Sequence, residues 1–163
     1  MMQQMMIDAT GKTFPELMRE SVLTPLGMSA STYEQPLPPD RASSASTGYN
    51  SRGKEVKGRW HIYPEMAAAG LWTTPSDLAR FAVSIQEGFA GKSNRVISQS
   101  MIRQMLTVQK GSHGMGVGLE GSGSNLRFYH GGRNEGVEIK ITGANAGAPR
   151  QLPMRRRWAA RVA

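Results

Sequence analysis

One stretch of the sequence has the residue types that acyl-transfer chemistry needs. Ser51-Arg52-Gly53-Lys54 places a hydroxyl and an amine three residues apart. On a helix, this spacing lets the lysine amine take the proton of the serine, which activates the hydroxyl as a nucleophile. Here the run from Asn50 to Gly53 is a turn signal that breaks a helix. The sequence therefore predicts a solvated hairpin turn within residues 49–57, and a nucleophilic role for Ser51 is the less favoured alternative.

A second candidate is the run His130-Gly131-Gly132, which ends a stretch of alternating polarity that begins at Leu126. The two glycines would let another molecule approach the strand backbone closely, because they carry no side chain. The later run Lys140-Ile141-Thr142-Gly143 also alternates, which predicts a strand with Lys140 pointing outward.

The composition excludes several kinds of site. The chain has 163 residues and no cysteine, so disulfides, thiolate chemistry and cysteine-based zinc sites are excluded. His61, His113 and His130 are too far apart in the sequence for metal-ligand spacing. We expect neither a metal nor a cofactor.

The net charge of +8 would suit a nucleic-acid-binding protein, but its distribution does not. Five arginines lie in residues 150–163, and without them the charge is +3. The sequence therefore predicts no nucleic-acid partner, although the arginines could hold an anionic surface. It has no apolar run of the roughly 18 residues that a membrane span needs, and no secretory signal is visible at Met1–Met6.

Helices are predicted in the first two thirds of the chain, at four places. Residues 1–9 read as part of a helix, with Met5, Met6 and Ile7 facing a core. Capping boxes at residues 13–16 and 74–77 start helices that run to Leu26 and Gly88, and Ser98 caps a further helix. Residues 29–63 are expected to be irregular.

Short strands are predicted after Gly111, around residues 115–119, 126–130 and 137–142. Helices followed by an antiparallel meander indicate an α+β fold, with helices packed on the sheet. We expect the domain to span residues 1–142. Residues 143–163 lack β-branched strand residues and are expected to form a basic, disordered or aberrant tail.

Four segments together resemble the serine β-lactamase-like family of class C β-lactamases, D-Ala-D-Ala carboxypeptidases and related esterases. These segments follow the order of the family and cover roughly residues 5–142. They are Thr10-Gly11-Lys12-Thr13-Phe14 with Pro25-Leu26-Gly27-Met28, the run Ala68–Phe81, the run Gly114–Leu119, and His130-Gly131-Gly132 with Gly136.

The resemblance implies an acyl-enzyme mechanism with three motifs. A Ser-x-x-Lys motif and a Tyr-x-Asn motif would lie upstream of the matched stretch, and His130 would belong to the third. By resemblance, His130 contacts the substrate carboxylate or the nucleophile, and Gly131 and Gly132 contact the substrate. The N–H of Arg133 would complete the oxyanion hole, and Asn134 would fix the turn that follows.

We therefore expect the C-terminal part of a serine hydrolase, inactive alone, with a small-molecule or peptidoglycan-like substrate in the parent enzyme. The alternatives are a non-enzymatic binding module that uses the retained wall of the site, and a rearranged hydrolase that uses Ser51. An exposed sheet edge would favour self-association. The resemblance implies a periplasmic or extracellular location.

Overall fold

The computed structural model describes residues 1–93, 95–134 and 137–144, with the backbone alone for residues 137–139 and 144. The helices in this part of the chain are α1 (Met2–Thr10), α2 (Phe14–Met18), α3 (Pro39–Ala42), α4 (Met66–Ala69), α5 (Pro75–Phe89) and α6 (Gln99–Met105). The strands β1 (Gly118–Glu120), β2 (Arg127–Asn134) and β3 (Val137–Ala144) form one sheet in the order β1-β2-β3. The fold is α+β, as predicted.

The chain divides into two compact units. The first unit contains Met1–Leu78 and Arg133–Ile139. The second unit contains Ala79–Gly132 and continues from Lys140. Each unit has its own buried side chains.

Helix α1 forms where the sequence predicts it, but it faces no core. It contains no buried residue, and Met5 is 66% exposed, so the prediction that Met5 faces inward is wrong. Met6 and Ile7 are half-buried. Polar contacts also hold the helix, because the Gln3 amide donates to the Pro64 carbonyl and accepts from the Ala67 N–H.

Helix α2 begins at its predicted cap but changes type after one turn. The Thr13 hydroxyl accepts from the Glu16 N–H at 3.4 Å. After Met18 the chain continues as a π-helical turn, Arg19–Leu23. The helix predicted to reach Leu26 therefore ends at Leu23, and Gly27 then adopts a left-handed φ of 68°.

The segment predicted to be irregular, residues 29–63, contains one short helix, α3. An isolated bridge joins Tyr49 to Glu55, which confirms the predicted hairpin. The segment nevertheless contributes buried apolar side chains to the first unit, namely Leu37, Ala45 and Val56. The segment is therefore well packed although it has little regular secondary structure.

The core of the second unit lies between two helices and the sheet. It consists of Ala82 and Ile85 from α5, Ile102 and Leu106 from α6, Leu119 from β1 and Phe128 from β2. The predicted helix starts are confirmed, since the Ser98 hydroxyl accepts from the Met101 N–H at 3.2 Å. The 3,4 spacing of apolar residues on α5 places them on the face that packs here.

Strands β1 and β2 are antiparallel, with Leu119 opposite Phe128 and Gly118 opposite Tyr129. A side chain at Gly118 would collide with the Tyr129 ring, so this register needs a glycine. Strand β3 continues two residues beyond the predicted end at Thr142. The rest of the predicted tail, residues 145–163, lies outside the described residues.

Candidate functional site

The predicted His-Gly-Gly motif (His130–Gly132) lies on the exposed part of strand β2. Burial falls along the strand from Phe128, which is buried, to His130, Gly131 and Gly132, which are all exposed. A Cβ atom added to Gly132 would meet no atom within 4 Å. The backbone at this point is therefore open to a molecule approaching from outside, which a substrate contact would need.

Arg133 and Asn134 end the strand and differ in their contacts. Arg133 is exposed, whereas Asn134 is half-buried and its Nδ2 donates to the Ala69 carbonyl at 3.2 Å. The predicted role of Asn134 in the following turn falls partly on residues 135–136, outside the described residues. The observed contact instead fixes the end of β2 to the C-terminal residue of helix α4.

The segment after α4 is held tightly at Gly70. A Cβ atom at this position would lie 2.7 Å from Met66 Cα, so no larger residue fits without a backbone shift. The Gln35 amide donates to the Gly70 carbonyl at 3.0 Å. Two residues later, Trp72 and Thr32 exchange two backbone hydrogen bonds of 2.9 Å. These contacts fix the path of residues 70–72 against residues 32–35.

A buried carboxylate lies at the first turn of helix α5. Asp77 is 0% exposed, and its Oδ2 accepts from the Ala30 N–H at 3.0 Å and the Ser31 hydroxyl at 2.7 Å. The Ser31 and Thr73 hydroxyls lie 2.8 Å apart. We call Ala30, Ser31, Thr73 and Asp77 the Asp77 clamp. It satisfies the hydrogen-bonding needs of a buried charge.

The sequence does not reveal the Asp77 clamp. Asp77 was predicted only as part of a helix cap, and Thr74 does accept from the Asp77 N–H at 3.1 Å. The partners Ala30 and Ser31 lie more than forty residues earlier. The one local signal is the pair of small polar residues Ser31 and Thr32. This signal does not show that Asp77 is their partner.

The aromatic residues Trp60, Tyr63 and Trp72 each have a ring contact with a neighbouring side chain. The Trp60 and Trp72 rings meet edge to face, with centroids 5.2 Å apart. The Arg59 guanidinium lies 4.4 Å from the centroid of a Trp60 ring, a cation–π contact.

Ser51 and Lys54 lie in a turn, not on a helix. The Asn50 side chain accepts from the N–H groups of Arg52 and Lys54, at 3.0 and 3.1 Å. Gly53 has a left-handed φ of 73°, and residues 51–55 are exposed. Hydrogen bonds from an asparagine to its own turn are typical of a solvated loop. The turn lacks the helical geometry in which such a lysine activates a serine.

Two ionisable features stand out in the first unit. An exposed ion pair joins Lys12 and Glu20, and their hydrogen bond raises the pKa of Lys12 and lowers the pKa of Glu20. Burial raises the pKa of the Tyr33 hydroxyl, whose ring meets Phe14 edge to face at 5.1 Å. Neither feature involves the His-Gly-Gly motif.

Within the described residues, no group of three or more histidine, aspartate or glutamate side chains is arranged to hold a metal ion. In the same part of the chain, no helix is long and apolar enough to cross a membrane.

Two solved structures illustrate what the fold is similar to. A class C beta-lactamase mutant matches with a TM-score of 0.65 and 17% identity, over 84% of this chain and 45% of that chain. The octameric penicillin-binding protein homologue from Pyrococcus abyssi matches with a TM-score of 0.56 and 18% identity, over 88% of this chain and 36% of that one. The chain thus spans less than half the length of either protein, and at this identity the likeness concerns the fold alone.

Among curated proteins, none matches this sequence. The model of the Beta-lactamase family, however, matches residues 2–152. This match covers the His-Gly-Gly motif and all three strands. The chain belongs to the Beta-lactamase family.

Proposed function

We propose that this chain forms the His-Gly-Gly wall of a serine hydrolase site. The substrate of the complete site would be a β-lactam, a D-Ala-D-Ala peptide or a short ester. The observation that carries this proposal is the open backbone at His130–Gly132, on an exposed part of strand β2. Because the chain belongs to the Beta-lactamase family, we interpret this exposed strand backbone as part of a hydrolase site.

Each residue of the motif has a proposed role. The His130 imidazole contacts the substrate carboxylate or the nucleophile. Gly131 and Gly132 let the acyl group lie against the strand, since a Cβ atom at Gly132 would occupy free space beside the backbone. The Arg133 N–H stabilises the oxyanion that forms during acyl transfer. Asn134 acts indirectly, because its bond to Ala69 holds the strand end in place.

We propose further that this chain alone has little or no hydrolase activity. The spelling Ser-x-x-Lys occurs only at Ser51, and that residue lies in an exposed turn. Without an activated nucleophile the rate falls steeply, by about 10⁶ in kcat in a measured protease. The remaining wall could still bind ligands.

The test is intact-protein mass spectrometry of the chain after incubation with a labelled penicillin and, separately, with a fluorophosphonate. We expect no covalent adduct with either reagent. The control is the Ser51→Ala variant, which should behave identically. A stoichiometric adduct on any serine would refute the proposed inactivity, and an adduct lost in Ser51→Ala would establish the rearranged hydrolase.

A binding module without catalysis is the second candidate, favoured by the same exposed wall. Reversible penicillin binding, measured by NMR titration, would then shift the backbone signals of residues 130–133. Gly132→Ala should weaken this binding without lowering stability, because the added methyl meets no protein atom. Unaffected binding in Gly132→Ala would place the ligand elsewhere. Binding to an anionic surface would instead fall steeply with salt and vanish on deletion of residues 150–163.

The location proposed for the protein is the periplasm or the outside of the cell, as the family resemblance implies. We also propose that the chain self-associates. Strand β3 forms one edge of the described sheet, and an edge offers unpaired backbone groups to another chain. The match to an octameric homologue is in keeping with assembly. Light scattering should detect species larger than a monomer. A monodisperse monomer that melts cooperatively would refute this proposal.

A further inference from the structure

A cleft of about 810 Å³ opens on the first unit, between the start of α2, the π-helical turn and the loop that leads into α3. Its volume falls in the range of about 300–1,000 Å³ typical of ligand pockets. It shares no residue with the His-Gly-Gly motif, and nothing in the proposed hydrolase site uses it. Its ionisable lining residues are Glu16, Arg19, Glu34, Asp40 and Arg41.

Charges of both signs line this cleft without pairing across it. Within the described residues, none of the five forms an ion pair with another. Among the residues that the structure describes, the Glu34 carboxylate accepts from the Thr32 hydroxyl alone, at 3.2 Å. The Glu16, Arg19 and Asp40 side chains have no hydrogen-bond partner in the part of the chain that the structure describes.

The local structure at the start of α2 leaves the Glu16 carboxylate without its usual capping bond. In a complete capping box, the Glu16 carboxylate would bond to the Thr13 N–H. Only the other half of the box forms here, from the Glu16 N–H to the Thr13 hydroxyl, so the cap does not use the carboxylate, which interacts electrostatically with Lys12. Arg19 begins the π-helical turn, a type of structure that is frequent at functional sites.

We propose that this cleft binds a zwitterionic ligand, an amino acid or a short peptide with both a free amino group and a free carboxylate. The guanidinium groups of Arg19 and Arg41 take the carboxylate. The carboxylates of Glu16, Glu34 and Asp40 take the ammonium group. The cleft offers positive and negative side chains that form no ion pair with one another. A ligand that carries both charges can therefore pair with both kinds of side chain.

The experiment is an NMR titration of the full chain with three probes. Trialanine carries both charges, N-acetyl-trialanine lacks the ammonium group, and trialanine amide lacks the carboxylate. We expect saturable shifts with trialanine at residues 13–19 and 29–41. Each capped peptide should bind about tenfold more weakly, since each loses charge-assisted hydrogen bonds.

The test variant is Arg19→Gln, because Arg19 is exposed and its loss breaks no described hydrogen bond. Arg41 is unsuitable, since it donates to the carbonyls of Ser29 and Ser31 at 3.4 and 3.5 Å and so supports the loop. The matched control is Arg52→Gln, an exposed arginine outside the cleft.

Arg19→Gln should weaken trialanine binding about tenfold, and Arg52→Gln should leave it unchanged. Three outcomes would overturn the proposal. They are the absence of saturable shifts, equal binding of the capped peptides, and trialanine binding that Arg19→Gln does not weaken. Because no step depends on acylation or on the His-Gly-Gly motif, this result is independent of the proposed hydrolase role.

Discussion

Replacing Asp77 by alanine should destabilise the first unit by about 3 kcal/mol. Asp77 is fully buried, and its Oδ2 accepts two hydrogen bonds, from the Ala30 N–H and the Ser31 hydroxyl. The alanine variant removes the acceptor and leaves both donors behind. The Asp77 clamp also joins helix α5 to a loop more than forty residues earlier, so its loss frees a long stretch of chain.

The magnitude follows from the two bonds. A hydrogen bond to a charged group contributes about 1.5–3 kcal/mol. Two features reduce the loss here. The Ser31 hydroxyl keeps a neighbour in the Thr73 hydroxyl, and Ala30 is exposed, so its N–H can bond to water. The lower value applies to each bond, which gives about 3 kcal/mol for the pair.

Urea unfolding followed by tryptophan fluorescence measures this change. Trp60 and Trp72 both belong to the first unit, and a Trp158→Phe background leaves them as the only tryptophans. Asp77→Asn keeps an oxygen acceptor but loses the charge, so it should cost about half as much as the alanine variant. The matched control is Glu87→Ala, an exposed acid on the same helix, which should lie within about 0.5 kcal/mol of the parent.

The outcome for Asp77→Ala decides whether the clamp carries stability. A change within about 0.5 kcal/mol of the parent, similar to Glu87→Ala, would refute the reasoning. It would mean that desolvation of the carboxylate cancels the gain from its hydrogen bonds. If Asp77→Ala loses no more stability than Asp77→Asn, the charge of Asp77 accounts for the whole loss, and a neutral hydrogen-bond acceptor at this position contributes nothing.

Two further predictions concern the same unit. Burial raises the pKa of Tyr33 in the folded state, so its contribution to stability is complete below the unfolded pKa of about 10 and is lost as the pH rises through the folded pKa. Tyr33→Phe should therefore flatten the alkaline fall in the urea midpoint, and an unchanged slope would contradict this. Gly70→Ala should cost about 1–3 kcal/mol in thermal unfolding, because the new Cβ would lie 2.7 Å from Met66 Cα. Gly132→Ala, with open space around it, is the control and should lose no stability.

Elements fixed by nearby residues could be predicted from the sequence. The caps at Thr13, Thr74 and Ser98 all bond to an N–H three residues later, so a short window contains both partners. The strands around Phe128 and Ile141 follow from alternation over a few residues. The position of the His-Gly-Gly motif on β2 follows in the same way.

Predictions failed where the outcome depends on distant residues. Met5 was expected to face a core because it lies on a helix with apolar neighbours, yet the burial of a helix depends on what packs beside it. The π-helical turn at Arg19–Leu23 adds a residue to one turn, which the apolar spacing alone does not reveal. The contact between Asn134 and Ala69 spans 65 residues, and no pattern in either segment pairs them.

Four long-range polar contacts of the first unit converge on one segment, residues 69–77. Four hydrogen-bonded pairs connect it to other parts of the unit: Asn134–Ala69, Gln35–Gly70, Thr32–Trp72 and Ser31–Asp77. Three of these pairs use main-chain groups of the segment, so they constrain its backbone whatever its side chains are. A segment held at four points, with a glycine at which a Cβ would lie 2.7 Å from Met66 Cα, has little freedom to move. Asn134, the last residue of strand β2, belongs to the same unit and bonds to Ala69, so its position also depends on this segment.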